Sequence, residues 1–144
     1  MVATTLLWQM VEAENIHVAW LRMNDDGLYV AHPELPAPCI ALKKGLEKNE
    51  RLLRTVLSHE LGHHFTIGVR ICVAAERLRK QGAGQSEYRA RKWAVNCLVP
   101  RTELLELART YTIDALADIF FVTEEYIRFQ LFELSRGHGF GHVW

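Results

Sequence analysis

The chain has no run of about 18 uninterrupted apolar residues, so no membrane span is predicted. It lacks a basic segment leading into an apolar stretch near Met1, so no export signal is expected and the expected location is cytoplasmic. It carries no net charge, because 17 Lys and Arg balance 17 Asp and Glu. That balance argues against whole-molecule attraction to nucleic acid or to an anionic membrane. Cysteine is scarce and odd in number. Cys39, Cys72 and Cys97 show no Cys-x-x-Cys spacing and read as reduced thiols rather than a disulfide framework. No internal repeat is present. What remains, 144 residues at 49% hydrophobic and 24% charged, suits one globular domain or a domain with a small appendage.

The stretch that carries chemistry is Ser58-His59-Glu60-Leu61-Gly62-His63-His64. It contains His-Glu-x-x-His. On a helix, residues i and i+4 share a face, so His59 and His63 can offer two imidazole nitrogens to one Zn²⁺. Glu60 projects roughly 100° around the helix from His59, which brings its carboxylate beside the metal rather than onto it. There it can take a proton from water at the metal. Asn49 is the expected N-cap of this helix, and Leu52, Leu53, Val56, Leu57 and Leu61 its core stripe. Gly62 costs about 1 kcal/mol relative to Ala inside a helix, and close approach of a neighbour explains its presence.

Ahead of the motif, Thr4–Glu14 reads as a short helix and Ile16–Leu21, Leu28–Ala31 and Cys39–Leu42 as strands. Asn24-Asp25-Asp26-Gly27 is a turn signal, and the three prolines in the stretch from His32 through Pro38 mark a loop. A small antiparallel sheet is the expected assembly. Behind the motif, a helix is expected over 69–80, a break at 81–85, and a helix capped by Ser86 that ends before Pro100. Further helices are expected from Thr102 to Arg109, Thr112 to Phe120 and Thr123 to Ser135, then a Gly-rich tail. The domain boundaries that follow are a core over 1–100, a helical subdomain over 101–136 and a flexible tail over 137–144.

Catalytic zinc takes three protein ligands and keeps an open position. No third histidine follows the motif at a usable spacing, because Thr66 and Val69 stand where a glycine and a histidine would be needed. A carboxylate on a later helix is the remaining solution. Glu87 opens a helix whose small-residue face, Ala90, Trp93, Ala94 and Cys97, can pack on the motif helix. Glu76 is the second candidate, although a solvated position beside Arg79 and Lys80 is the favoured explanation of it.

Three blocks carry a resemblance to a known family. Residues Thr55 to Phe65 look like the core of the ImmA/IrrE metallopeptidases of bacteria and phages. Glu87-x-x-Ala90-x-x-Trp93-Ala94-x-x-Cys97-Leu98-Val99-Pro100 resembles that family's second signature, and Leu116 to Thr123 its C-terminal helical unit. The resemblance spans about residues 16–134. It implies Glu87 as the third zinc ligand. It also implies an α+β fold, a small sheet with helices around the zinc site, and a site-specific endopeptidase. The implied partner is a protein substrate, a helix-turn-helix repressor of a phage or mobile element, whose cleavage relieves repression. The alternative is a zinc-stabilised module that sequesters such a partner without cutting it. One position departs from the pattern. Family members often carry Asn or Asp where this chain has Arg91, which is a donor only and cannot accept from an imidazole N–H.

Other residues have plainer readings. His64, Tyr88 and His17 can be imagined as substrate or oxyanion contacts, with packing the favoured role of each. His138 and His142 lie among glycines and are tail residues rather than ligands. Arg77, Arg79, Lys80, Arg89 and Lys92 form either a basic rim or a solvated face. The helix pair 113–135 has a helix-turn-helix look, yet its second helix opens on Glu124 and Glu125, which repel phosphate. No direct nucleic-acid binding is expected from it.

Overall fold

A computed structural model of the chain describes residues 3–67 and 83–137. The helix expected over 69–80, with Glu76, Arg77, Arg79 and Lys80, lies outside the described residues. So do Cys72, His138 and His142. Among the described residues the elements run α1 (Thr4–Ala13), β1 (His17–Leu21), β2 (Gly27–Val30), β3 (Cys39–Lys43), a 3₁₀ turn (Leu46–Lys48) and α2 (Glu50–Ile67). They continue with α3 (Ala83–Leu98), α4 (Arg101–Leu107), α5 (Ile113–Phe120) and α6 (Glu124–Ser135). None of these helices is long and apolar enough to cross a membrane. The architecture is α+β.

The three strands form one sheet in the order β1-β3-β2. β2 and β3 are antiparallel, as expected, with Tyr29 opposite Ile40. β1, however, runs parallel to β3, with Ala19 opposite Ala41, so the sheet is mixed rather than wholly antiparallel. The physical reason is burial. Ile40, Ala41 and Leu42 are all buried, which requires cover on both faces and a neighbour on each edge. β3 therefore inserts between β1 and β2, whose exposed residues suit the edges.

The chain separates into two compact units, Val2–Ala94 and the residues from Val95 onward. In the first, α1 packs on α2 through Leu7 and Val11, and Leu53, Leu57 and Leu61 supply the buried stripe of α2. Leu52 and Val56, also expected in that stripe, are only half-buried, and the Leu52 backbone N–H donates to the Asn49 side-chain oxygen at 3.1 Å. Arg54 sits among them only 2% exposed, and its guanidinium donates to Thr4 Oγ1 at 3.3 Å. A helical arginine reads as surface from sequence; here its length carries it across to α1.

Ser86 does not cap α3. That helix already includes Ala83 to Gln85, so Ser86 lies a turn inside it. The glycine penalty at Gly84 was too weak a signal to place the boundary. In the second unit, α5 and α6 pack together around Leu116, Phe120, Tyr126 and Ile127. Phe121, left-handed at φ 54°, turns the chain between them, and Thr112 caps α5 by accepting from the Ala115 N–H. Gln130 is wholly buried there and donates to Asn96 Oδ1 at 3.0 Å and to the Val99 carbonyl at 2.8 Å.

Candidate metal centre

The site begins with an absence on α2. A Cβ built on Gly62 would stand 2.3 Å from the Ala90 carbonyl oxygen of α3, closer than any real contact allows. The backbones of the two helices therefore touch at Gly62 and Ala90. One turn earlier on each helix, His59 Nε2 lies 2.7 Å from Glu87 Oε2. One turn later, the rings of Phe65 and Trp93 stack with centroids 5.0 Å apart. Three pairs in step, 59 with 87, 62 with 90 and 65 with 93, mean that α2 and α3 run side by side in the same direction. The close approach that only glycine permits is what delivers Glu87 to the motif.

His63 Nε2 lies 3.1 Å from the other Glu87 oxygen, Oε1. The two imidazoles meet edge to face with centroids 4.9 Å apart. His59, His63 and Glu87 can thus each turn one donor atom to a common point, all within 4.8 Å of one another. Two imidazole nitrogens and one carboxylate oxygen are a donor set that suits zinc or another borderline divalent ion. The cluster opens to solvent on the Glu87 side, where that side chain is 59% exposed. Hydrogen bonds from the His59 and His63 rings hold the Glu87 carboxyl well below the usual carboxylate range, so it is ionised wherever the protein is folded near neutral pH.

Glu60 occupies the opposite flank of α2. It is only 6% exposed, and burial pushes its carboxyl above the ordinary value, opposed by the neighbouring His59 and His63 and reinforced by Glu87 and Asp25. Its neighbour is Gly27, the first residue of β2. A Cβ there would meet Val56 Cγ1 at 2.6 Å, Glu60 Cγ at 3.1 Å and Glu60 Oε1 at 3.2 Å. Gly27, read from sequence only as the end of a turn, is also the space into which the Glu60 side chain packs.

His64 has both ring nitrogens engaged away from this cluster. Tyr29 Oη lies 2.7 Å from Nδ1, and Glu14 Oε1 lies 2.8 Å from Nε2. Nothing in the sequence signals these partners, since Tyr29 and Glu14 are 35 and 50 residues away. Tyr88, half-buried with the Lys92 ammonium 6.0 Å above its ring, and His17, exposed at the start of β1, are not among the residues brought to the common point. Arg89 is exposed and Arg91 half-buried on α3. Cys39 and Cys97 are free thiols, and burial pushes Cys39 above its usual value.

A family model described as the IrrE N-terminal-like domain, peptidase M78, matches residues 11–132. No curated protein matches the chain.

Proposed function

We propose, for a chain that belongs to the IrrE N-terminal-like peptidase family, that its metallopeptidase-type function is zinc-dependent, site-specific cleavage of a protein. The observation that carries this reading is the convergence of His59, His63 and Glu87 with a buried Glu60 beside them. His59, His63 and Glu87 would hold the ion. Zinc, when bound, supplies Lewis acidity toward a peptide carbonyl and brings the pKa of a coordinated water down toward ~7. The chain's own part is proton transfer and alignment. Glu60, whose carboxyl burial raises above the ordinary value, takes in its carboxylate form the proton of the attacking water and returns it to the leaving amine nitrogen. The Nε2 atoms of His59 and His63 and the Glu87 carboxylate are turned toward one another, so the three donors already face the point where the ion would sit.

The sheet supplies a place for an extended chain. The Asp26 carbonyl accepts from the Lys43 N–H at 2.9 Å, which makes 26 and 43 a hydrogen-bonded pair. Alternation in an antiparallel ladder then turns the N–H and C=O of Gly27 and Tyr29 away from β3, toward the edge that carries no further strand among the described residues. A substrate segment can add there as a strand. That mode requires an extended or locally unfolded segment, which favours a bond in a linker over one inside a folded domain. The proposed substrate is a helix-turn-helix repressor of a phage or mobile element, cut to relieve repression. The second unit contributes no proposed nucleic-acid surface, because α6 begins with the exposed Glu124 and Glu125.

The test is co-incubation of the zinc-loaded protein with a helix-turn-helix repressor taken from the genes flanking its own. Fragments that vanish with a chelator, and with Glu60→Gln while zinc stays bound, are expected. A stable uncut complex would instead support a sequestering module.

A further inference from the structure

β2 is held to the motif helix at two points. At its first residue, Gly27 rests against Glu60; two residues later, Tyr29 meets His64. Two strand residues rise about 6.7 Å and four helical residues about 6 Å, so strand and helix stay in step over this span. The first contact is steric. The second belongs to a directed hydrogen-bond chain. The Glu14 carboxylate only accepts, so His64 Nε2 carries the hydrogen and donates to it, and in the neutral ring Nδ1 accepts from the Tyr29 hydroxyl. The chain joins the end of α1, the motif helix and the edge strand, and Tyr29 is buried where it does so.

From this we infer that Glu14, His64 and Tyr29 act as a positioning strap. It fixes the outer edge of β2, which carries no further strand among the described residues, at the height of the residue pair His63-His64, and so sets where an extended substrate lies relative to the proposed metal ligands. The inference rests on the endopeptidase reading and deepens it, since it makes His64 a determinant of substrate placement. Tyr29 is held by its side chain while its backbone N–H and C=O point away from β3, so loosening the side chain moves the outer edge of β2 on which the proposed substrate strand would lie. The Glu60 flank is untouched, because Gly27 and Glu60 meet by packing alone.

The experiment uses the zinc-loaded full chain and the same repressor as substrate. Tyr29→Phe removes one hydrogen bond and keeps the ring; His64→Leu removes both; His64→Gln retains an acceptor and a donor about as far apart as the ring nitrogens. KM is expected to rise about three- to tenfold in Tyr29→Phe and at least as much in His64→Leu, with kcat within about twofold and zinc affinity unchanged. His64→Gln should recover most of the wild-type KM. A merely stabilising strap would lower the folded fraction, reducing apparent kcat and leaving KM alone. Amide exchange at Leu28 and Val30, whose N–H groups face β3, is the second readout and should quicken in Tyr29→Phe. If the wild-type chain cuts the repressor but neither variant moves KM, the strap is overturned and the endopeptidase reading stands. If the wild type cuts nothing, that reading falls with the substrate half of this one. Unchanged exchange then removes the strap as well.

Discussion

Replacing Gly62 by alanine sets two known effects against each other. Helix propensity favours the change by about 1 kcal/mol. The packing opposes it. The new Cβ would sit 2.3 Å from the Ala90 oxygen, 2.9 Å from its carbonyl carbon and 3.0 Å from its Cα. All three are backbone atoms, so no side-chain rotation relieves the clash. Ordinary contact requires α3 to retreat by about 1 Å. Overpacking of this kind costs about 1–3 kcal/mol, which outweighs the propensity gain and leaves a net loss of about 1 kcal/mol. For a chain of this size that lowers Tm by about 2–4 °C.

The larger consequence is for the metal. Glu87 lies one turn along α3 from Ala90 and retreats with it, while metal–ligand distances tolerate only about 0.2 Å. Zinc affinity should fall about 10- to 100-fold, the scale seen when the residues that hold ligands in place are lost. Competition with a chromophoric chelator measures the affinity, and a melt in chelator measures the metal-free stability. Gly84→Ala is the control, because a Cβ there meets nothing within 4 Å; it should stabilise α3 slightly and leave zinc binding alone. A Gly62→Ala protein that melts at or above the wild type and binds zinc within about twofold of it would refute the close-approach argument.

Two further substitutions probe other parts of the chain. Gln130→Leu strips the Val99 carbonyl of a buried donor but also removes Gln130 Oε1, which is buried without a partner. The net cost should be about 1 kcal/mol in urea unfolding, and an unchanged midpoint would show that the amide contributes nothing. Asp25→Asn removes a negative charge that raises Glu60. The Glu60 carboxyl then ionises at lower pH, so the acid limb of kcat/KM should move to lower pH. A limb that stays put would mean that Glu60 does not set it.

Local signals in this chain were readable and pairings were not. The motif helix and its Asn49 cap depend on residues within a turn of each other, which periodicity and capping chemistry capture. The meeting of Glu87 with His59 and His63 was approached through the small-residue face around Ala90, because that face must pack somewhere. The order β1-β3-β2 depends on which strand needs cover on both sides, a comparison between strands rather than a property of any one. Gly27 had a sufficient local explanation as a turn residue, which hid its contact with Glu60. Likewise, His64 carried no mark of Glu14 or Tyr29, and Arg54 none of its burial.

The two carboxylates of the site are chemically the same and are pushed in opposite directions by what flanks the helix. On the α3 side, contact at Gly62 presents Glu87 to two imidazoles at a solvent-exposed edge, which lowers it. On the β2 side, contact at Gly27 closes the strand over Glu60 and excludes water, which raises it. A ligand to a divalent ion must stay ionised, whereas a base must be able to hold the proton it takes. Environments that separate two carboxylates in this way are what distinguish such roles elsewhere. Both environments follow from a missing Cβ. Each glycine bears most directly on one carboxylate, so the proposed division of labour between Glu87 and Glu60 rests on the two flanks of α2 as well as on the His-Glu-x-x-His pattern.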